Sequence, residues 1–313
     1  MALHRMSGTT LASDVPLPEL PRARGASAEI RFALLPPGRP FTPPRSWLHR
    51  WRRADGRAWI SLGSARRGYL LRFANVADFL ISRNGARILG RPRPRVSPAT
   101  FRHLLLDHVL PMVLSHRGCL VIHASAVRVR RGGVAFVGKA GSGKSTLSAS
   151  LTRVGRTLLA DDCLVIEERR GRTMAVPSYP GLRLWPDMVR ALWADGTQGG
   201  PVAEYSDKRR LGPRGLGAAS QGPARLRALY LLAPPAARGD IRITRIAPRA
   251  AVGQLLAHTQ RLDITDRARL VMELEALSRL VRRVPVFELS YPRRLHRLAA
   301  VRGAVLRHAG AVT

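Results

Sequence analysis

Apolar and polar residues alternate in two short stretches near the start of the chain, residues 29–35 and 58–62, and residues 68–73 are a third strand candidate. Period-two alternation is the mark of a half-buried strand, so residues 29–96 read as a β-rich N-terminal domain. Residues 1–28, rich in Pro, Ala and Ser, read as a loose terminus. Trp47, Trp51 and Trp59 fall among the strands. Core packing is the favoured reading of these tryptophans, and a peptide groove is the other. The Arg–Pro run 91–95 reads as a linker. Ser97 stands where a helix N-cap would, with Pro98 at the first helical position. Phe101, Leu105, Val109 and Met112 then recur at helical spacing, making residues 97–117 a connecting helix that Pro111 kinks in its last turn.

From residue 118 the pattern changes. Residues 119–129 are apolar and β-branched, and Gly132–Val137 is a second strand. The two read as a hairpin or as neighbours, with a basic turn at 128–131. A helix follows at 146–154, ending at Gly155. A strand at 157–160 runs into Asp161 and Asp162, and residues 164–167 continue it. Residues 195–223 read as a long Gly-rich loop, and 226–232 and 240–246 as paired strands. Helices are expected at 249–258, 266–282 and 293–307, with a strand at 284–289. No internal repeat is present, and residues 118–313 read as one α/β domain.

Composition narrows the class. Hydrophobic residues make up 45% of the 313 and charged residues 23%, enough for a sizeable core. No window is long and apolar enough for a membrane helix; the best, 104–127, is broken by Asp107, His108, Arg117 and His123. No secretory signal pattern opens the chain. The two cysteines, Cys119 and Cys163, make neither a disulfide framework nor a zinc site. A reducing cytoplasm is the expected compartment.

The formal charge of +33 would ordinarily indicate nucleic acid or an anionic membrane. Here only Lys139, Lys144 and Lys208 are lysines among 53 basic residues, and the arginines are spread along the whole chain. A compositional bias explains that pattern, so neither nucleic acid nor membrane is an expected partner. The scarcity makes the three lysines informative, because a compact ammonium has been kept where arginine is the default.

One run carries recognisable chemistry. Gly138, Lys139, Ala140, Gly141, Ser142, Gly143, Lys144 and Ser145 fit G-x-x-x-x-G-K-[ST], the phosphate-binding loop. Its glycines let backbone N–H groups turn inward, Lys144 reaches the outer phosphates, and Ser145 offers a ligand to Mg²⁺. The helix that opens at Thr146 points its positive end at the anion. Asp161 and Asp162, at the end of a neighbouring apolar strand, suit two roles: one carboxylate for the metal, the other to take a proton from an attacking hydroxyl. His123 lies on an apolar strand just upstream, as either a core residue or a catalytic one. Lys208, Arg209 and Arg210 form either a solvated run or a loop that brings cations to a transferred phosphate.

A strand with His123, the run Gly138 to Ser145, a short helix and Ala160-Asp161-Asp162 together resemble the HPr kinase/phosphorylase family. The likeness spans about residues 118–190. Val176 through Pro186, and Lys208 through Leu211, look like the branch found beside lasso-peptide and related ribosomal-peptide genes. The resemblance implies an α/β P-loop kinase core of the HPr-kinase type behind an N-terminal β-rich domain. It implies a serine kinase that uses ATP and Mg²⁺, with Asp161 and Asp162 at the transfer point, His123 close by, Ser145 and Asp161 on the metal and Asp162 as base. The acceptor would be a peptide or protein, with a ribosomally made precursor peptide as one candidate; homo-oligomers stay open. A small-molecule kinase and a nucleotide-switched ATPase or binding module are the alternatives. The bacterial HPr enzymes carry a metal-holding glutamate ahead of an Arg-Gly-Leu-Gly segment. The comparable stretch here, Ser178-Tyr-Pro-Gly-Leu-Arg183, has no acid, so phosphorylase activity and HPr as acceptor are not expected. No family resemblance is assigned to residues 1–96.

Overall fold

The computed structural model describes the chain except residues 26, 180, 194–196, 213–215, 217–221, 236–238 and 313. It divides into two compact units. Unit 1 holds Met1–Cys119, Ala203–Tyr205 and Gln260–Leu270; unit 2 holds Leu120–Val202, Ser206–Thr259 and Val271–Thr313. The mixed α/β class read from the sequence is what the chain adopts. No helix among the described residues is long and apolar enough to cross a membrane.

Unit 1 is built on β1 (Ala2–Met6), β2 (Thr9–Ser13), β3 (Ile30–Leu34), β4 (Trp47–Arg52), β5 (Ala58–Ala65), β6 (Gly68–Phe73), β7 (Ala77–Ser82) and β8 (Arg87–Pro92). They stand in the order β1-β2-β3-β8-β7-β6-β5-β4. The first 28 residues are therefore not a loose terminus. Ser7 and Gly8 both take positive φ, 49° and 82°, between paired Met6 and Thr9. That is a two-residue hairpin turn whose twist matches the strands, and it tucks Met6 and Leu11 into the core. The run 91–95 is also only partly a linker, because β8 extends to Pro92 and Arg93 pairs with buried Asp78 at 2.8 Å. Trp47, Trp51 and Trp59 are half-exposed rather than core. Trp47 and Trp51 lie on the terminal strand β4, and Arg53 stacks 4.1 Å from the Trp59 ring centre.

The connecting helix has the anticipated cap: Ser97 Oγ accepts from the Thr100 N–H at 3.2 Å. Its stripe of Phe101, Leu105, Val109 and Met112 is buried. In place of a kink in the last turn, a π-helical turn Leu105–Val109 separates Pro98–Leu104 from Leu110–His116. Pro111 lacks an N–H and would crowd the carbonyl one turn back, and the wider turn just ahead of it absorbs both defects.

Unit 2 carries two sheets that share the long strand Ala224–Leu232. Gly132–Val137 and Val286–Ser290 flank this strand in parallel, with Phe136, Tyr230 and Phe287 in register. Their rings stack in a row at 5.8 Å spacings. Helices Lys144–Thr152 and Leu298–Ala311 pack on that face through Leu147, Leu151, Val301 and Val305. Helices Pro248–Leu256 and Arg267–Arg283 cover the other face through Ala251, Leu255, Leu277 and Leu280.

Three expectations are corrected here. Strand Arg242–Arg245 pairs with Val286–Ser290 and not with Ala224–Leu232. Its arginines are exposed, which suits a sheet edge, while the apolar Val286–Ser290 takes the inner place. The stretch 195–223 is not one loop, because Gly200–Ala203, Ser206–Leu211 and Leu182–Leu184 form a three-stranded sheet. Leu182, Leu184 and Leu211 bury one of its faces. Residues 195–196, 213–215 and 217–221 of that expected loop lie outside the described residues, as does Pro180 of the stretch 178–183. Finally, residues 119–129 are two strands, Leu120–Ile122 and Ala124–Val129, interrupted at His123.

Candidate functional site

Two strand pairs of unit 2 change sheet at the same level. Leu120–Ile122 pairs with Leu164–Arg169, while Ala124–Val129 pairs with Thr157–Ala160 and with Gly132–Val137. The first break is His123, and the second holds Asp161 and Asp162. The two breaks bring His123 and the paired aspartates together. Asp162 sits in the left-handed region at φ 62°, a conformation an aspartate tolerates better than bulkier residues.

The glycine-rich run enters the same place. Gly132–Val137 leads into the loop and Lys144–Thr152 leaves it, the strand–loop–helix that the sequence pattern requires. Gly141 and Gly143 take φ 78° and 89°, which side-chain-bearing residues rarely adopt. Lys139, Ala140 and Gly141 are exposed. The Ser142 N–H bonds to the Lys139 carbonyl at 3.1 Å. Thr146 lies in the first turn of the helix, whose leading N–H groups have no partner within the helix. Lys144 is buried, its Nζ donating to the carbonyls of Gly138 and Lys139 at 2.8 and 2.9 Å. Burial lowers its pKa from the ordinary lysine value, against the pull of Asp162 and Asp161.

Ser145 Oγ donates to Asp161 Oδ1 at 2.8 Å, joining the helix start to the second strand break. The Asp161 side chain is fully enclosed. Burial raises its pKa and Asp162 adds to the rise, while Arg183 and the Ser145 hydroxyl oppose it. Asp162 is the more open of the pair, with 22% of its side chain exposed. His123 Nε2 lies 3.9 Å from Asp162 Oδ1, an ion-pair rather than hydrogen-bond distance. The His123 main-chain N–H donates to the His258 carbonyl at 2.7 Å. Burial drives the His123 pKa down to about 4, with Asp162 opposing. The imidazole is thus neutral near pH 7 and adds no positive charge to the site.

Sequence reasoning missed Arg183, which joins the two carboxylates. Its main-chain N–H donates to Asp161 Oδ2 at 3.0 Å. Its Nη1 reaches Asp161 Oδ2 at 3.4 Å and Asp162 Oδ2 at 3.5 Å. Nη2 donates to the Tyr179 hydroxyl. Only 2% of this side chain is exposed. The strand Leu182–Leu184 therefore supplies a guanidinium to the two carboxylates. A signal for it was present: Arg183 stands between Leu182 and Leu184, so strand alternation sets it opposite two core residues.

The basic run divides by face. Arg210 is paired across the small sheet with Arg183, and Arg209 with Leu184. Arg210 accordingly lies on the Arg183 side, 5.8 Å over the Tyr179 ring. Lys208, two residues away, shares that side, 5.8 Å over the exposed Trp185 ring. It is near enough to lower the pKa of both His123 and Lys144. Arg209 alternates to the other face, the one it shares with Leu184 and Leu211, and is itself exposed. Ser125, another buried serine of the region, is taken up by Ser148 Oγ at 2.7 Å and the Ala160 carbonyl.

Among the described residues no three His, Cys, Asp or Glu side chains gather to hold a metal. The donor pair Ser145 Oγ and Asp161 Oδ1 still suits Mg²⁺, which takes one or two protein oxygens beside water and phosphate.

No family model and no curated protein sequence matches the chain. Among solved structures it is similar to one described as the Hpr(Ser) kinase/phosphatase from Coxiella burnetii. The match has 14% identity over 60% of this chain and 95% of that one, with a TM-score of 0.36. A likeness at that level carries no argument about activity.

Proposed function

We propose that this chain is a kinase of the HPr-kinase type that uses ATP and Mg²⁺ to phosphorylate a serine hydroxyl of a peptide or protein. The observation that supports the reading is the convergence of Ser145, Lys144, Asp161 and Asp162 where the glycine-rich loop meets the second strand break. The loop N–H groups and Lys144 bind the phosphates of ATP. Ser145 and Asp161 would hold Mg²⁺, which would supply positive charge to offset that of the transferring group. Asp162, the more open carboxylate, receives the proton of the acceptor hydroxyl. As the serine Oγ–Pγ bond forms, the bond from Pγ to the β–γ bridging oxygen breaks and ADP departs. Arg183 orients both carboxylates, and Lys208 and Arg210 line the cationic side that faces the acceptor. A ribosomally made precursor peptide is one acceptor that fits.

Separate roles for the two aspartates can be tested by calorimetry and single-turnover transfer. Asp161→Asn should weaken Mg·ATP binding. Asp162→Asn should bind Mg·ATP nearly as the wild type does and transfer about 10²–10⁴-fold more slowly, the usual contribution of a positioned base. Near-normal binding and transfer in both variants would remove the mechanism.

A further inference from the structure

Arg293 has no role in the chemistry above, yet it touches the phosphate loop. It lies just past the strand Val286–Ser290. Its Nη1 donates to the Ser142 carbonyl and, at 2.9 Å, to the Tyr291 hydroxyl; Nη2 donates to the Ala233 carbonyl at 2.7 Å. The guanidinium also stacks 4.3 Å from the Tyr291 ring centre. Ala233 follows the strand Ala224–Leu232, and its N–H bonds to the Leu289 carbonyl at 3.1 Å. One planar fork therefore ties together the chain leaving three neighbouring parallel strands, at the end of the sheet where the loop begins.

The bond to Ser142 has a consequence for the loop. In a trans peptide the C=O and the following N–H point in opposite directions. A Ser142 carbonyl held on Arg293 turns the Gly143 N–H away from Arg293. Gly143 has φ 89°, and a β-carbon there would lie 2.9 Å from Arg293 Nη1. The guanidinium thus occupies the space that a side chain at this position would need.

We propose that Arg293 is a positioning residue for the phosphate loop. Its fork, steadied by Tyr291, fixes the Ser142–Gly143 peptide so that the loop N–H groups are set before an anion arrives. Preorganised donors bind more tightly because less ordering is left to do on binding. A lysine cannot take this part, since its single ammonium lacks the planar fork that spans Ser142, Tyr291 and Ala233. The inference rests on the nucleotide-binding reading of the loop.

The test uses full-length chain carrying Arg293→Gln, Arg293→Lys or Tyr291→Phe. ATP affinity is measured by calorimetry, and amide hydrogen exchange is followed at residues 139–146. Arg293→Gln should weaken ATP binding about 10–100-fold, the scale of lost hydrogen bonds to a charged group. The KM for ATP should rise while kcat at saturation and the acceptor KM hold. Exchange at 139–146 should quicken while the strand amides of 226–231 keep their protection. Arg293→Lys should recover little, and Tyr291→Phe, which keeps the ring, should move in the same direction by less. Unchanged affinity and exchange in Arg293→Gln would overturn the inference, as would full recovery by lysine. Should Arg293→Gln fail to fold, Tyr291→Phe decides by the same two readouts. If the wild-type chain binds no ATP, the nucleotide reading falls, and the exchange comparison alone decides whether Arg293 fixes the loop.

Discussion

Arg183 holds two adjacent carboxylates in one buried corner. Taking charges out of water is costly, and breaking a buried pair is costlier than never forming it. Arg183→Met should therefore destabilise the chain by about 3–5 kcal/mol in denaturant titrations. Arg183→Lys should recover part of that, keeping the charge but losing the second arm to Tyr179. A methionine variant as stable as the wild type would contradict the account. His123 gives a pH signature of known sign. Its pKa falls from 6.5 to about 4 in the folded chain because burial penalises the imidazolium. Between those values the unfolded chain binds more protons than the folded one. The folded state is thus favoured most above pH 6.5 and loses this contribution as the pH falls toward 4. Thermal melts of His123→Gln and wild type, compared from pH 7 to 4.5, should shift in the variant's favour as the pH falls. A constant difference would contradict the assignment. At this scale the strand–loop–helix around the glycine-rich run was legible because its signal is local, with glycines, lysine and serine at fixed spacing. Arg183 was harder to single out, because arginine is everywhere in this chain and its partner Asp161 lies 22 residues away.

Elements were read well where one periodicity runs through them and poorly where they change partners. The helices Pro248–Leu256 and Arg267–Arg283 fall close to their predicted bounds because each keeps an apolar stripe, and Lys144–Thr152 does so because the glycine-rich run ahead of it and Gly155 behind it mark its ends. The breaks at His123 and Asp161–Asp162 were invisible, because an apolar run does not reveal which sheet each half joins. Those breaks bring together the residues of the candidate site. The strand Ser206–Leu211 was hidden by the glycines around it, and its alternation sorts the basic run. Lys208→Ala should impair phosphoryl transfer about tenfold or more, the scale of a lost charged hydrogen bond. Arg209→Ala, on the other face, should remain near wild type. Equal losses in steady-state assays of the two variants would mean that the run acts only as a diffuse positive field.

At the scale of the whole molecule, basic residues outnumber acidic ones by 53 to 20. Several acids accordingly serve two arginines each: Asp78 pairs with Arg72 and Arg93, and Glu168 with Arg279 and Arg283. Against that background, two adjacent carboxylates share Arg183 beside Lys144 and the glycine-rich loop, where unit 2 changes strand partners. The central claim is that this corner moves a phosphoryl group to a serine. The direct measurement incubates the full-length chain with γ-labelled ATP, Mg²⁺ and a serine-containing peptide library, and locates the label by mass spectrometry. The account predicts label on seryl oxygen with the wild type and none with Lys144→Ala. Label recovered only as free phosphate, or label on the peptides that is undiminished in Lys144→Ala, would contradict it.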